Sequence, residues 1–395
     1  MRLGVLLMLL TLVPAVRAQV ACTSPDDLCT GDPCETGDVT VASTCQLDFG
    51  TRTLVVRGTM RVPDGGVLEL RAGNVQIFGG IEGKGVVGPS ITVIANGDIL
   101  QRTRVDSQGH VTPGSVTLRA TGNIRIESGG VRAPNSGQTG SRGGQIVVEA
   151  GGTLDCIACR IEARGRPDTP AGSVALRGAA GVYLPLGTHW DAGGGTGGTF
   201  EVSSTGGPIF IETDVRAHTT TGPGGTFTVS GVDVTLKRDL MMDGGTGGSV
   251  IVDGKTILLK GKLDTRGKQG AAGTVRVTAL ESVVVPGGIQ VNGKTTGGTA
   301  EVTGGTVTFT GRATARGRTG GGSLTFTANT GDLRLEKSVD ASGPAGRIVG
   351  AAPNGNLTTR GRFRAGLGGC IGLSAGATID TAGSTFDVPL QSSCP

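Results

Sequence analysis

Six side chains in one part of this 395-residue chain could do acid–base chemistry: Arg160, Glu162, His189, Asp191, Asp214 and Arg216. The unit from Gly172 to Gly197 supplies His189 and Asp191, and it also holds the only Tyr (Tyr183) and the only Trp (Trp190). Two carboxylates about 5 Å apart shift each other's pKa values, and paired carboxylates are what polysaccharide hydrolases use. Glu162, His189, Asp191 and Asp214 are therefore the catalytic candidates, weak ones, for a lyase or hydrolase. Sugar-cleaving sites also need exposed aromatics to stack on the rings. The chain has 11 aromatic residues, and most Phe, such as Phe200, Phe227 and Phe326, fall at positions expected to point inward. The reading that follows is a protein that is not an enzyme.

A second column of acids recurs at corners. Asp106, Glu162, Asp191, Asp264, Asp340 and Asp380 each have Gly three residues later. A type I turn favours Asp at its first position and Gly at its fourth, so turn chemistry explains the column first. On that reading Asp264→Asn is nearly neutral. The sharper alternative is calcium, with Asp191, Asp264, Asp340 and Asp380 as weak ligands. The GGxGxD nonapeptide of calcium-binding β-rolls is absent, and no cofactor is assigned.

Eight cysteines remain. Cys22, Cys29, Cys34 and Cys45 crowd one short stretch, which reads as a disulfide-stapled cap whose three possible connectivities stay open. Cys156 and Cys159 form CIAC, read as a local disulfide near a corner. Cys370 and Cys394 are 24 residues apart, close to one repeat, so stacking of successive repeats predicts a bridge between them.

The elements that must position these residues are short. The blocks GGTFEV, GGTFTV, GGSVIV, AGTVRV, GGTAEV and GGSLTF recur every 23 to 27 residues between Gly197 and Gly343. Each opens a unit of three alternating apolar runs joined by bends. In the unit from Gly247 these runs carry Val250 and Val252, then Ile257 and Leu259, then Leu263. No run has helical length or period, and 74 glycines argue against helices. One such unit cannot bury a face, but stacked units can. The fold class is all-β: a single-stranded, right-handed parallel β-helix of about 13 coils of about 25 residues, with disulfide-bearing caps at both ends. Trp190 shares its register position with Ile161 and Val215 and points inward, which turns His189 and Asp191 outward.

The expected organisation is a signal peptide at 1–18, a Cys-rich cap at 19–50, the β-helix at 51–368, and a last coil with its disulfide-linked cap at 369–395. Arg2, the apolar run Leu3 to Val13, and Val16 and Ala18 support cleavage after Ala18. Export to the cell surface, the periplasm or the exterior follows, and disulfides are permitted there. Without Arg2 and Arg17 the chain has 34 basic and 32 acidic residues. No basic stripe with interleaved aromatics is visible, so nucleic acid is not expected as a partner. Residues 131–144 and 163–171 read as longer corner loops. No membrane-spanning segment is expected in the mature chain.

The GG-[TS]-x-x-V unit and the Asp-x-x-Gly corners resemble bacterial β-helical surface proteins, in the style of filamentous-haemagglutinin-like adhesins and autotransporter passengers. The resemblance covers about residues 50–390 and implies a secreted or surface rod whose partner is an envelope, glycan or protein component. It carries over no functional residues. The leading expectation is a structural or adhesive β-solenoid, set against the polysaccharide lyase or hydrolase and the calcium-stabilised binding rod.

Overall fold

A computed structural model describes residues 19–135 and 142–394. The proposed signal peptide lies outside the described residues. The chain winds as a parallel β-solenoid of about 15 turns. Each full turn has three sides. The first carries runs such as Ser90–Ala95 and Ser115–Ala120, the second Ile99–Gln101 and Ile124–Glu127, and the third Gly130–Arg132 and Arg160–Glu162. Strands pair with the equivalent run one coil away, always in parallel. Between Thr226 and Val285 the first two runs join into continuous strands bent near Gly231 and Gly254. The third side is a sheet of 16 strands.

Period-two alternation sets what lies inside. One in-register column on the first side runs from Ile91 through Val116, Phe200, Val250 and Leu324 to Ile371, each at most 1% exposed. Burying one such side chain is worth about 1.5–3 kcal/mol, and every coil repeats the arrangement. Trp190 lies in register with Ile161 and Val215, is fully buried, and stacks on Phe200 with ring centroids 5.6 Å apart.

The glycines have a specific cause. At the corner before each first-side run from Ser115 onward, successive backbones approach so closely that no side chain fits. A Cβ on Gly273 would sit 1.7 Å from the Gly248 carbonyl oxygen, and one on Gly248 would sit 2.1 Å from that of Gly225. The second glycine of each GG pair is this position.

The turn count exceeds the 13 expected. The Cys-rich stretch supplies rungs of its own: Gln19–Val20 pairs with Val39–Val41, Cys34–Thr36 with Thr53–Val56, and Thr44–Asp48 with Val67–Ala72. Within it the disulfides are Cys22–Cys45 and Cys29–Cys34. Cys156 and Cys159 form the local bridge expected.

Cys370 and Cys394 are also bridged, but direct stacking is not the reason. Ile371 pairs with Leu390, so the rung neighbour of Cys370 is Pro389. The chain instead folds back over Gly372, where a Cβ would meet the Cys394 Sγ at 3.2 Å. The single described helix is a 3-10 turn at Pro25–Asp27, and no described helix is long and apolar enough to cross a membrane.

Candidate functional site: the third side of the rod

The third side gathers the acidic candidates except Asp380, because the residues flanking the inward one in each of its strands point outward; Asp380, expected at the same corner, instead pairs beside Thr358 on the second side. Glu162 stands beside Asp191, and Asp191 beside Arg216, in successive rungs. Asp264 and Asp340 lie further along the same column. His189 is exposed, as expected. Glu162 differs from expectation: it faces outward, but its side chain is only 6% exposed. The guanidiniums of Arg132, one coil away, and Arg160, in the same strand, lie over it.

Those guanidiniums define the chemistry of the column. Arg132 lies 2.9 Å from Glu162 and 3.4 Å from Asp106, and Arg160 lies 3.1 Å from Glu162. Asp191 faces Arg164 at 3.8 Å, and Asp214 faces Arg216 at 3.5 Å. Asp264 is held between Lys262 at 3.2 Å and Arg266 at 2.7 Å. Arg316 reaches Asp340 at 2.5 Å, and Arg360 reaches Asp380 at 2.6 Å.

The four acids proposed as calcium ligands share one further feature. Each accepts a hydrogen bond from the backbone N–H two residues on: Gly193 for Asp191, Arg266 for Asp264, Ser342 for Asp340 and Ala382 for Asp380. This is an Asx turn, so the residue type follows from turn chemistry, although through the side chain and not the type I pattern. On the third side the glycine three residues after the acid answers to crowding: a Cβ on Gly267 would sit 1.9 Å from the Ala271 carbonyl oxygen, whereas Gly383, after Asp380, has room and instead takes a φ of +77°. Among the described residues no three His, Cys, Asp or Glu are grouped to hold a metal.

One acidic group escaped the sequence reading as a candidate. Asp106 lines a hollow of about 270 Å³ with Glu82, Lys84, Arg104, Gln108 and Arg132. Its Oδ1 is buried without a hydrogen-bond partner. Burial raises its carboxyl above the ordinary value, against the pull of Arg132 and Arg104. Asp340 goes the other way. Burial pushes its carboxyl up, but hydrogen bonds from Ser342 and Arg316 prevail and leave it below the ordinary value. In the sequence both acids begin the same Asp-x-x-Gly corner, so nothing there separates them.

Asp191 also borders a small notch of about 140 Å³ with Arg164 and His218. A shallow groove of about 550 Å³ runs where the third side meets the first, floored by Gly114, Gly144, Gly172 and Gly198 with Arg142 at its edge. These hollows are separate, and none brings a nucleophile, a base and an oxyanion donor together.

No protein-family model matches this chain. No curated protein matches it. No solved structure matches it. The parallel β-solenoid with disulfides near both ends is therefore the level at which the chain is placed.

Proposed function

We propose that the protein is an exported structural or adhesive rod that makes contact through its flat sides and corners, with an extended glycan or a protein of the cell envelope as partner. One observation carries this reading: the acids best placed for catalysis are each engaged by lysine or arginine on a flat side, which leaves a patterned surface in place of a reaction centre. Four disulfides and no described free cysteine fit an oxidising compartment. The repeat style shared with β-helical bacterial surface proteins supports the same location.

The test is a glycan and envelope-polymer binding screen on residues 19–395, run with calcium and with chelator, alongside a product assay on anionic polysaccharides. Binding without product, indifferent to chelation, is expected. Release of shortened or unsaturated sugars would replace this proposal with the lyase or hydrolase reading. Failure to bind any polymer or envelope protein would end it.

A further inference from the structure

The third side is not uniform in charge along the rod. Five successive segments near its C-terminal end, followed only by the strand Ser384–Phe386, are residues 260–268, 286–294, 310–318, 336–344 and 360–368. Together they hold twelve Lys and Arg against three Asp and Glu. The seven third-side segments before them, cut at the same register between residues 78 and 245, hold ten against eight. In the sequence these charges lie in short pieces about 24 residues apart. Only winding aligns them on one side.

Five of the twelve bases are paired: Lys262 and Arg266 with Asp264, Lys268 with Asp243, Arg316 with Asp340, and Arg360 with Asp380. Among the described residues, the other seven have no ion-pair partner. Lys294, Arg312, Arg318 and Arg362 are exposed among them. Gly267 bridges to Gly293, and Thr296 to Gly320, which puts Lys268, Lys294 and Arg318 in successive rungs about 4.8 Å apart. Asp243 offsets Lys268, but Lys294 and Arg318 are like charges set side by side across strands, which is destabilising unless an anion lies along them. Beside it is an open hollow of about 520 Å³, with Asn292, Lys294, Arg316, Arg318 and Ser342 around its glycine floor.

We propose that this stretch is a binding track for a linear anionic polysaccharide carrying a carboxylate or sulfate on its sugars. This rests on the adhesive-rod reading and names its ligand. The evenly spaced cations suit a chain with regular charges. Single-stranded nucleic acid is usually held by aromatics that stack on bases. The one aromatic of these five segments, Phe363, is fully buried.

The experiment measures binding of polygalacturonate, dextran sulfate, neutral dextran and polythymidine to residues 19–395 across a salt series. The same is done for a variant with Lys294→Gln, Arg312→Gln, Arg318→Gln and Arg362→Gln, and for a control with Arg119→Gln and Arg125→Gln elsewhere on the rod. All four substituted bases of the track are exposed, so melting of the variant should match the parent. The proposal expects binding to polygalacturonate or dextran sulfate but not to dextran, weakening with salt. The track variant should lose at least tenfold in affinity and the control should keep it. Equal binding by the track variant, comparable binding to dextran, or stronger binding to polythymidine would each overturn it. If those results come while another polymer or protein still binds, the rod reading survives and this ligand falls. If nothing binds, both fall.

Discussion

At the scale of single residues, the third-side acids look alike in sequence and differ in the fold. Asp106 and Asp340 should give opposite responses to pH. The Asp106 carboxyl is raised, so the native state holds its proton more tightly than the unfolded chain. Its favourable contribution is complete below the unfolded value, near 3.9, and disappears as pH rises through the folded value. Asp106→Asn should therefore be at least as stable as the parent at pH 7, with the gain vanishing below about pH 4. The Asp340 carboxyl is depressed, so its contribution is present above the unfolded value and is lost as pH falls through the folded one. Asp340→Ala should cost about 1–2 kcal/mol at neutral pH, and the gap should close in acid. Denaturant unfolding at several pH values would measure both; parallel curves for the two variants would refute the assignment. Asp264 revises an expectation as well. A simple turn residue would tolerate Asn, yet this side chain is 1% exposed and holds two cations. Asn keeps the acceptor for the Arg266 N–H and loses the charge, so Asp264→Asn should cost about 1 kcal/mol and Asp264→Ala more. The residue type was readable as turn chemistry. The burial was not, because the covering side chains come partly from other coils.

At the scale of the coil, the alternation of apolar runs was enough to set inside from outside. Val250 is fully buried where the pattern placed it, and Trp190 likewise. Val250→Asp should be severely destabilising, since a buried charge without a partner is costly; a thermal melt close to that of the parent would contradict the register. The glycine column makes a sharper prediction. Gly273→Ala forces a Cβ to within 1.7 Å of a carbonyl oxygen, so a single methyl should disrupt the coil, whereas the preceding residue is already Ala272. Hydrogen exchange should show faster opening in the coils either side of residue 273. What sequence spacing did not reveal was a second set of ties between coils. Asn74, Asp98 and Asn123 each use a side-chain oxygen to accept the backbone N–H of the next coil, at 2.9, 2.7 and 2.9 Å. None of the three stands out in the sequence, since a side chain that bonds to a neighbour some 24 residues away leaves no local signature. The Cys370–Cys394 bridge teaches the same lesson: the partner was right, but the path over Gly372 follows from a fold-back after the last rung.

At the scale of the whole molecule, the fold was the most legible property, because one repeat written many times leaves few alternatives. The count was short by about two turns because the Cys-rich stretch looked like a cap while also pairing as rungs. Stability should be close to a sum of coil terms and neighbour terms. With the acidic corners engaged by lysine and arginine, chelation should leave the melting temperature unchanged; a drop would reveal a native-state cation. The cystines near the two ends have a mechanical consequence. In a stacked solenoid the interstrand hydrogen bonds lie along the long axis, so a pull between the ends loads them in series and would peel the outermost rung first. Cys22–Cys45 and Cys370–Cys394 each close a segment about one coil long at the place where peeling would begin. Tension applied at the C-terminal end therefore meets a covalent clasp before it reaches a rung, and at the other end only the Gln19–Val20 rung lies outside the clasp. Stretched in reducing buffer, the rod should shed its terminal coils at low force; oxidised, it should hold until an interior rung gives way.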